Sequence, residues 1–386
     1  MRVAVDARPA VFPHKTGVGY YTWHLLRLLP LVDPATTYVA WYLNAGALLG
    51  RDVRPLRDLT PTRPNLVPRG TPIPARWFER LSERFDLPRL EWFVRSDVVF
   101  GPNFVPPPTR NPRSVITVHD LAFRRMPDTA PHGTRWWLAR LGRALARAAR
   151  VIAVSESTRQ DLLELSSVDP ARVTVIPLGV DRSVFRPLPP EDVQTVRSRF
   201  GLNGPYVLFL GGIEPRKNFQ TLLAAFARLD RGVRLVIAGA SVEWNPEGTD
   251  LLRQALEEAP PDVRSRVLRA GYLTDGDKVA LVSGAEALVY PSLYEGFGLP
   301  VLEAMACGTP VVASDRSSVP EVAGDAALLV DPVDPEAIAA AVARVLSDRA
   351  LSQRLREAGF DRATRFTWEE TARKTAAALK AAASEG

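Results

Sequence analysis

At 386 residues the chain is long for one domain and comfortable for two. Its 46% hydrophobic and 24% charged residues are ordinary for a soluble globular protein, and no run of about 18 apolar residues is present to span a bilayer. Cys307 is the only cysteine, which excludes an intrachain disulfide and a cysteine-cluster metal site. The opening MRVAVDARPAVF places Asp6 and Arg8 where a signal peptide needs an unbroken apolar stretch, so a cytoplasmic protein is expected.

Charge is unevenly shared. Residues 1–190 carry 27 Lys and Arg against 16 Asp and Glu, whereas residues 191–386 carry 22 against 27. A basic half beside a mildly acidic half predicts two modules, the first facing something anionic. Only five of the cations are lysine, a bias that reads as genomic.

In chain order, short β-branched runs alternate with longer helical patterns. Strands are expected at 2–7, 38–43, 97–102, 114–120, 150–155 and 173–179, then at 206–212, 234–239, 267–273, 287–292, 310–314 and 327–332. Near-continuous apolar strands separated by helices predict parallel sheets covered on both faces, in two doubly wound α/β domains. The prolines 187, 189 and 190 place the boundary within 179–194. The expected division is a first domain over 1–187, a second over 188–363, and a final helix, 364–386, returning towards the first. Ser155 and Asp334 read as helix N-caps, as does Asp275 or Asp277.

The first loop, HKTGVGYYTWHLL (14–26), is not a dinucleotide fingerprint, because Thr22 stands where the third glycine belongs. With no acidic ribose reader after the first strand either, a dehydrogenase is poorly supported. Gly17 and Gly19 alone are compatible with a plain tight turn. His119 and Asp120 end the strand SVITVHD, a placement that favours a functional role over a structural one.

A basic amphipathic helix is expected over 135–150. Arg140, Arg143, Arg147 and Arg150 fall roughly 60° to 140° from Arg135 at about 100° per residue. Trp137, Leu138, Leu141, Ala144, Leu145 and Ala148 take the other face. The segment ARWFERLSERF (75–85) also mixes aromatics with arginine. The arginine face is a candidate for an anionic membrane surface.

In the second half, YVLFLGGIEPRKNFQTLLAAF (206–226) reads as strand, glycine turn and helix, with Arg216 and Lys217 at the helix entry. Charge-assisted hydrogen bonds from such cations contribute about 1.5–3 kcal/mol each when shielded from water. They suit the diphosphate of a departing nucleotide. Asp275-Gly-Asp277 matches a D-x-D metal motif in letters, but before an apolar periodic run it reads as a helix start.

The most structured stretch is PSLYEGFGLPVLEAMACGTPVVAS (291–314). Pro300 suits a first helical position and Gly308 the position just past a helix end. The loop between strand and helix lies where open α/β sheets bind ligands, and exposed amides there favour a diphosphate. Glu295 and Glu303 repel phosphate but accept paired hydrogen bonds from hydroxyls, so a nucleotide-sugar would satisfy amides and glutamates together. The bland alternative is that Glu295 is solvated and Glu303 decorates a helix.

Glu295 and Glu303, with seven residues between them in EGFGLPVLEAMACGTPVV, resemble the E-x7-E signature of retaining glycosyltransferase family 4. The likeness covers most of the chain and is strongest over 205–332. It implies the GT-B fold, two facing Rossmann-like domains with a cleft between them, and transfer of a sugar from a nucleotide-sugar with retention and without a metal or other cofactor. By that resemblance Glu303 binds the donor ribose, and Glu295 lies near the transferred sugar's hydroxyls. Gly296, Phe297, Gly298 and Leu299 offer backbone amides to sugar and phosphate. Gly271, Tyr272 and Leu273 meet the base, and Gly17 and Gly19 line the cleft.

The same resemblance sets His119 beside the reacting sugar, where it, Arg216, Lys217 and Glu295 form the catalytic set. The family's commoner pattern has arginine directly after the first glycine of the 206–226 segment, where this chain has Gly212, so that role passes to Arg216. EPRKN is similar to mannosyltransferase-like bacterial members using GDP-mannose in polysaccharide synthesis. The expected partners are a nucleotide-sugar, a glycan or lipid-linked acceptor and an anionic membrane surface at the inner face of the cytoplasmic membrane, with no nucleic acid. A nucleotide-sugar epimerase and a catalytically silent nucleotide-sugar binder remain as alternatives.

Overall fold

The structure is a computed structural model that describes residues 1–12, 15–46, 56, 59–129, 134–239 and 246–384. The chain divides into two compact units. The first comprises Met1–Leu121, Pro131–Gly179 and Trp368–Gly386; the second comprises Ala122–Ala130 and Val180–Thr367.

The first unit is built on seven strands: β1 (Arg2–Asp6), β2 (Thr37–Leu43), β3 (Leu66–Thr71), β4 (Val98–Gly101), β5 (Ser114–Val118), β6 (Arg150–Ala153) and β7 (Val173–Val175). They lie in the order β3-β2-β1-β4-β5-β6-β7, every neighbouring pair parallel. The order reverses between β1 and β4, and that reversal opens a crevice at the carboxyl ends of these strands. All five residues of β5 are buried, which is why its sequence carries Val115, Ile116 and Val118 with only the small polar Ser114 and Thr117 between and before them, rather than a charged solvent face.

Strand β3 was absent from the sequence reading, and its composition explains why. LVPRGT holds Pro68 and Gly70, residues normally excluded from strands. As the edge of the sheet β3 pairs only with β2, so the missing N–H of Pro68 breaks no second ladder.

The closing helix Trp368–Ser384 belongs to this unit. The Trp368 indole stacks on His24 of helix Gly17–Val32 with centroids 4.5 Å apart, and Lys380 pairs with the buried Asp33 at 2.9 Å. Thr371 Oγ1 donates to the Pro177 carbonyl at 2.8 Å. These contacts hold both helices against one face of the sheet.

The second unit has six parallel strands: β8 (Tyr206–Leu210), β9 (Arg234–Ala238), β10 (Val267–Gly271), β11 (Ala287–Tyr290), β12 (Val311–Ser314) and β13 (Leu328–Val330). The order β10-β9-β8-β11-β12-β13 repeats the first unit's logic, with its reversal between β8 and β11. Strands β8, β11 and β12 are wholly buried. One side of the sheet carries Phe209, Phe219, Phe226 and Ile338 in a single apolar cluster. Burying each such side chain contributes about 1.5–3 kcal/mol.

Caps follow the sequence in two places and depart from it in one. Ser155 accepts from the Thr158 amide at 3.0 Å, and Asp334 accepts from the amides of Glu336 and Ala337 at 2.9 and 3.0 Å. Helix Asp275–Ser283, however, is capped by Thr274, whose hydroxyl accepts from the Asp277 amide at 3.2 Å. Asp275 and Asp277 sit in the first turn instead, where their charge complements the helix dipole.

The arginine face also needs correction. The basic helix spans Thr134–Arg147, and Arg150 is the first residue of β6, not a fourth arginine on the helix. Its guanidinium donates to the Ala171 carbonyl at 2.8 Å. The β-branched run that starts at Val151 pulls Arg150 into the sheet register opposite Val115. Leu141, Leu145 and Ala148 are buried, Arg143 and Arg147 are exposed and Arg140 is half-buried. The side chains of Arg135, Trp137 and Leu138 lie outside the described residues, as does His14.

Candidate active site

In the second unit two loops meet at the strand-order reversal. The loop after β8 carries a short helical turn, Pro215–Lys217, and the loop after β11 runs from 291 to 298. They are tied by the Leu293 amide, which donates to the Arg216 carbonyl at 2.7 Å, and by Asn218, whose side chain donates to the Pro291 carbonyl at 3.2 Å.

Glu295 is the centre of this crossing. It is 6% exposed and accepts from both cations of the other loop: Arg216 Nη1 reaches Oε2 at 2.9 Å, and Lys217 Nζ reaches Oε1 in a short contact. Arg216 also donates to Glu214 at 2.7 Å and to the Tyr294 carbonyl at 3.1 Å. Lys217 donates to the Tyr290 hydroxyl at 2.8 Å and lies over its ring.

Burial alone would push the Glu295 carboxyl up, but the Lys217 and Arg216 charges outweigh it and hold it at about 2. Burial lowers the Lys217 ammonium, aided by Arg216 and opposed by Glu295. One buried carboxylate thus faces two cations, one of which, Arg216, is shared with the half-buried Glu214.

The backbone around Glu295 is pinned by serines. The Glu295 amide donates to Ser317 Oγ at 2.8 Å, and Ser318 Oγ stands 2.9 Å from the carbonyls of Glu295 and Phe297. Gly298 has φ +110°, a conformation that side chains rarely adopt, and it turns the loop into helix Leu299–Ala306. Leu299, rather than Pro300, is the first helical residue; proline sits second, where its missing N–H is still no loss. Gly308 lies just past the helix end.

Glu303, on that helix, is held by Lys278 Nζ at 2.7 Å. Lys278 comes from helix Asp275–Ser283, which follows the 271–273 segment: Gly271 ends β10, Tyr272 is exposed and Leu273 is buried. Gly296 and Phe297 lie in the Glu295 loop, with the Phe297 ring buried against Phe366 at 5.9 Å. The donor-side candidates therefore form one neighbourhood of loops at the carboxyl edge of one sheet.

Sequence reasoning missed Lys278, Asn218, Tyr290, Ser317 and Ser318. A signal for the first was present. The chain has five lysines, and two of them, Lys217 and Lys278, neutralise the two glutamates of the E-x7-E pair. The lysine count read as genomic bias thus hid two that pair with these glutamates.

In the first unit His119 follows β5. Its Nε2 lies 2.7 Å from the Pro102 carbonyl, which can only accept, so Nε2 carries the proton and Nδ1 is left as an acceptor. Its ring meets Tyr21 edge-on at 5.0 Å and Phe104 at 5.7 Å. Burial lowers its pKa to about 4, so the ring is neutral near pH 7.

Gly17 begins helix Gly17–Val32 and Gly19 lies in its first turn. A Cβ at Gly19 would stand 2.9 Å from the Pro9 carbonyl, so glycine lets the turn at 8–11 pack against the helix start. Beside them Asp6 receives a bidentate pair from Arg8 at 2.7 and 2.8 Å, and Arg8 lies over the rings of Trp41 and Phe78. That pair was read from sequence only as a break in apolar character. Among the described residues, no group of three or more His, Cys, Asp or Glu side chains is placed to hold a metal ion, and no helix is long and apolar enough to cross a membrane.

Comparison with known proteins places this geometry. Residues 192–362 match the family described as glycosyl transferases group 1, and residues 16–184 match glycosyltransferase family 4. The chain is 35% identical over 300 residues to the O-antigen chain mannosyltransferase B of Escherichia coli, covering 76% of this chain and 77% of that protein. It is 33% identical over 232 residues to the serotype-specific mannosyltransferase WbdA of Escherichia coli, covering 58% of this chain and 28% of that longer protein. Among solved structures Anabaena HepE, in complex with UDP and glucose, superposes with a TM-score of 0.71 at 16% identity, over 97% of this chain and 98% of that one. On this footing the chain belongs to glycosyltransferase family 4, its chemistry is glycosyl transfer, and its two parallel-sheet domains are those of the GT-B fold.

Proposed function

We propose that the protein transfers a mannosyl group from GDP-mannose to a growing glycan or lipid-linked glycan, with retention of configuration and without a metal. The observation that carries this reading is the Glu295 carboxylate held between Arg216 and Lys217 at the strand-order reversal. The mannosyl choice is supported by the names of the Escherichia coli relatives and by the EPRKN segment.

A diphosphate arriving at this point takes hydrogen bonds from the two cations, and Glu295 turns its capacity to the hydroxyls of the transferred sugar. Lys217 has three N–H donors, of which Glu295 and Tyr290 receive two, so one is available to a phosphate oxygen. Amides of the 296–299 segment add backbone donors, and Glu303, oriented by Lys278, meets the ribose hydroxyls. His119 offers neutral Nδ1 to a sugar hydroxyl. Tyr272 and its neighbours Gly271 and Leu273 line the base, and Gly17 and Gly19 let the acceptor approach closely.

In the reaction the acceptor oxygen bonds to the anomeric carbon as the bond from that carbon to the phosphate oxygen breaks. The acceptor proton passes to the departing phosphate on the same face. Arg216 and Lys217 stabilise the charge that gathers there, the kind of fixed electrostatic aid that is worth most in a water-poor site. The proposed setting is the cytoplasmic face of a membrane, where Arg140, Arg143 and Arg147 meet anionic lipid. A pelleting assay without binding to anionic vesicles at low salt would end that part.

The direct test incubates the enzyme with GDP-, UDP-, dTDP- and ADP-sugars and a mannose-terminated oligosaccharide. Release of one nucleoside diphosphate together with an α-linked product by NMR is expected. An inverted product, a donor that changes only its own sugar stereochemistry, or binding without release of nucleoside diphosphate would each refute the proposal.

A further inference from the structure

Strands β4 and β5 are parallel neighbours, a connection that usually carries a crossover helix. Here residues 102–113 contain no helix. The chain instead passes through a series of bends that includes Pro107 and Pro108, pinned by Glu91, which accepts from the amides of Arg110 and Asn111 at 2.8 and 3.0 Å. Where the helix would have lain, a groove opens between the end of helix Ala75–Phe85 and helix Thr134–Arg147. Its volume is about 430 Å³.

The groove's lining is one-sided in charge. Arg89, Arg110, Arg140, Arg143 and Arg147 line it against one carboxylate, Asp86, with Val105 and the prolines as its apolar part. Asp86 pairs with Arg147 at 3.4 Å. Arg140 is half-buried, and burial together with Arg8 and Arg143 lowers its pKa despite the opposing Asp86 and Glu83. Water screens the exposed Arg110, Arg143 and Arg147, so an anion in the groove gains most from the half-buried Arg140, whose charge is least solvated. Planar guanidinium forks match phosphate oxygens in pairs.

We propose that this groove is a binding site for phosphate groups, distinct from the donor centre and formed by the missing crossover helix. The ligand class is a phosphate mono- or diester or a diphosphate, borne by a soluble molecule or by a lipid. The site stands on the groove's own geometry and does not depend on the donor or on the transfer reaction.

The test uses the full-length protein and phenylglyoxal, which modifies accessible arginines, with peptide mass spectrometry as the local readout. Modification is measured with no addition, with inorganic pyrophosphate, and with phosphatidylglycerol vesicles. Protection of Arg110 and Arg143 by at least about fivefold relative to the exposed Arg182 and Arg264 is expected. Protection by pyrophosphate assigns a soluble phosphate ligand, and protection by vesicles alone assigns a lipid phosphate. Absence of protection by both overturns the proposal.

A second arm uses Arg143→Gln, an exposed position whose loss leaves the core intact. The midpoint for protecting Arg110 by the effective ligand is expected to rise at least about tenfold, the effect of losing one charge-assisted pair. An unchanged midpoint would show that a diffuse field rather than the groove is responsible, and would also overturn it.

Discussion

In the second unit the crevice at the ends of β8 and β11 is lined by a network of shared ion pairs: Glu295 between Arg216 and Lys217, Arg216 also on Glu214, and Glu303 with Lys278. In the first unit the matching edge is already settled. Asp6 is closed by Arg8, and His119 is neutral with its Nε2 proton committed to Pro102. Both edges come from the same doubly wound arrangement, so the fold supplies the place and the side chains supply the difference. An edge of shared ion pairs can re-pair with an incoming anion, as the proposed donor site requires. Under the proposal, the first edge meets hydroxyls rather than charge.

The sharpest way to break this contrast is Lys217→Ala. It removes one of the two cations that the proposal aims at the leaving group, and turnover should fall about 10²–10³-fold, the loss seen when a fixed electrostatic donor is deleted. Because Arg216 still holds Glu295, the fold should persist with a lowered melting temperature and a loss of up to about 3 kcal/mol of stability. Near-normal turnover would take Lys217 out of the mechanism.

Glu303→Gln should act on binding rather than on the chemical step. Losing charge-assisted bonds worth about 1.5–3 kcal/mol should raise the donor KM by about tenfold or more with kcat little changed. A fall in kcat at unchanged KM would contradict the ribose role.

The smallest effect is a pH dependence that separates the two edges. His119 titrates near an ordinary 6.5 when unfolded but at about 4 when folded. The unfolded chain therefore binds a proton first on acidification, and stability is full above 6.5 and declines towards 4 by at most about 3 kcal/mol. Some exposure of the ring reduces this. Glu295 behaves differently: its contribution is full above 4.5 and is lost only as pH falls through about 2. Chemical denaturation of wild type and His119→Gln between pH 7 and 4 should show the slope in the first and its loss in the second. Equal slopes would remove the buried neutral imidazole from the account.

Much of the donor edge was legible in the sequence because its chemistry is local. Glu295, Gly298 and Glu303 sit in one strand–loop–helix run, and the expected strands fell within a few residues of β8 to β13. The pairing itself was not legible, since Lys217 and Glu295 lie 78 residues apart and only the strand order brings them together. Lys278 was hidden for the same reason, being 25 residues from Glu303. Strand β3 was masked by Pro68 and Gly70, and Arg150 by a helical periodicity that the following β-branched run overrode. Thr274 lost to its acidic neighbours because several adjacent residue types can cap a helix.

The most direct measurement is a calorimetric titration of the wild type and Lys217→Ala with GDP, UDP, dTDP and ADP, then with their sugar conjugates. One diphosphate and its sugar conjugate should bind the wild type at a single site, and Lys217→Ala should weaken both by at least about tenfold. If no diphosphate binds, or if the substitution leaves the affinity untouched, the paired cations at Glu295 are not a donor-phosphate site.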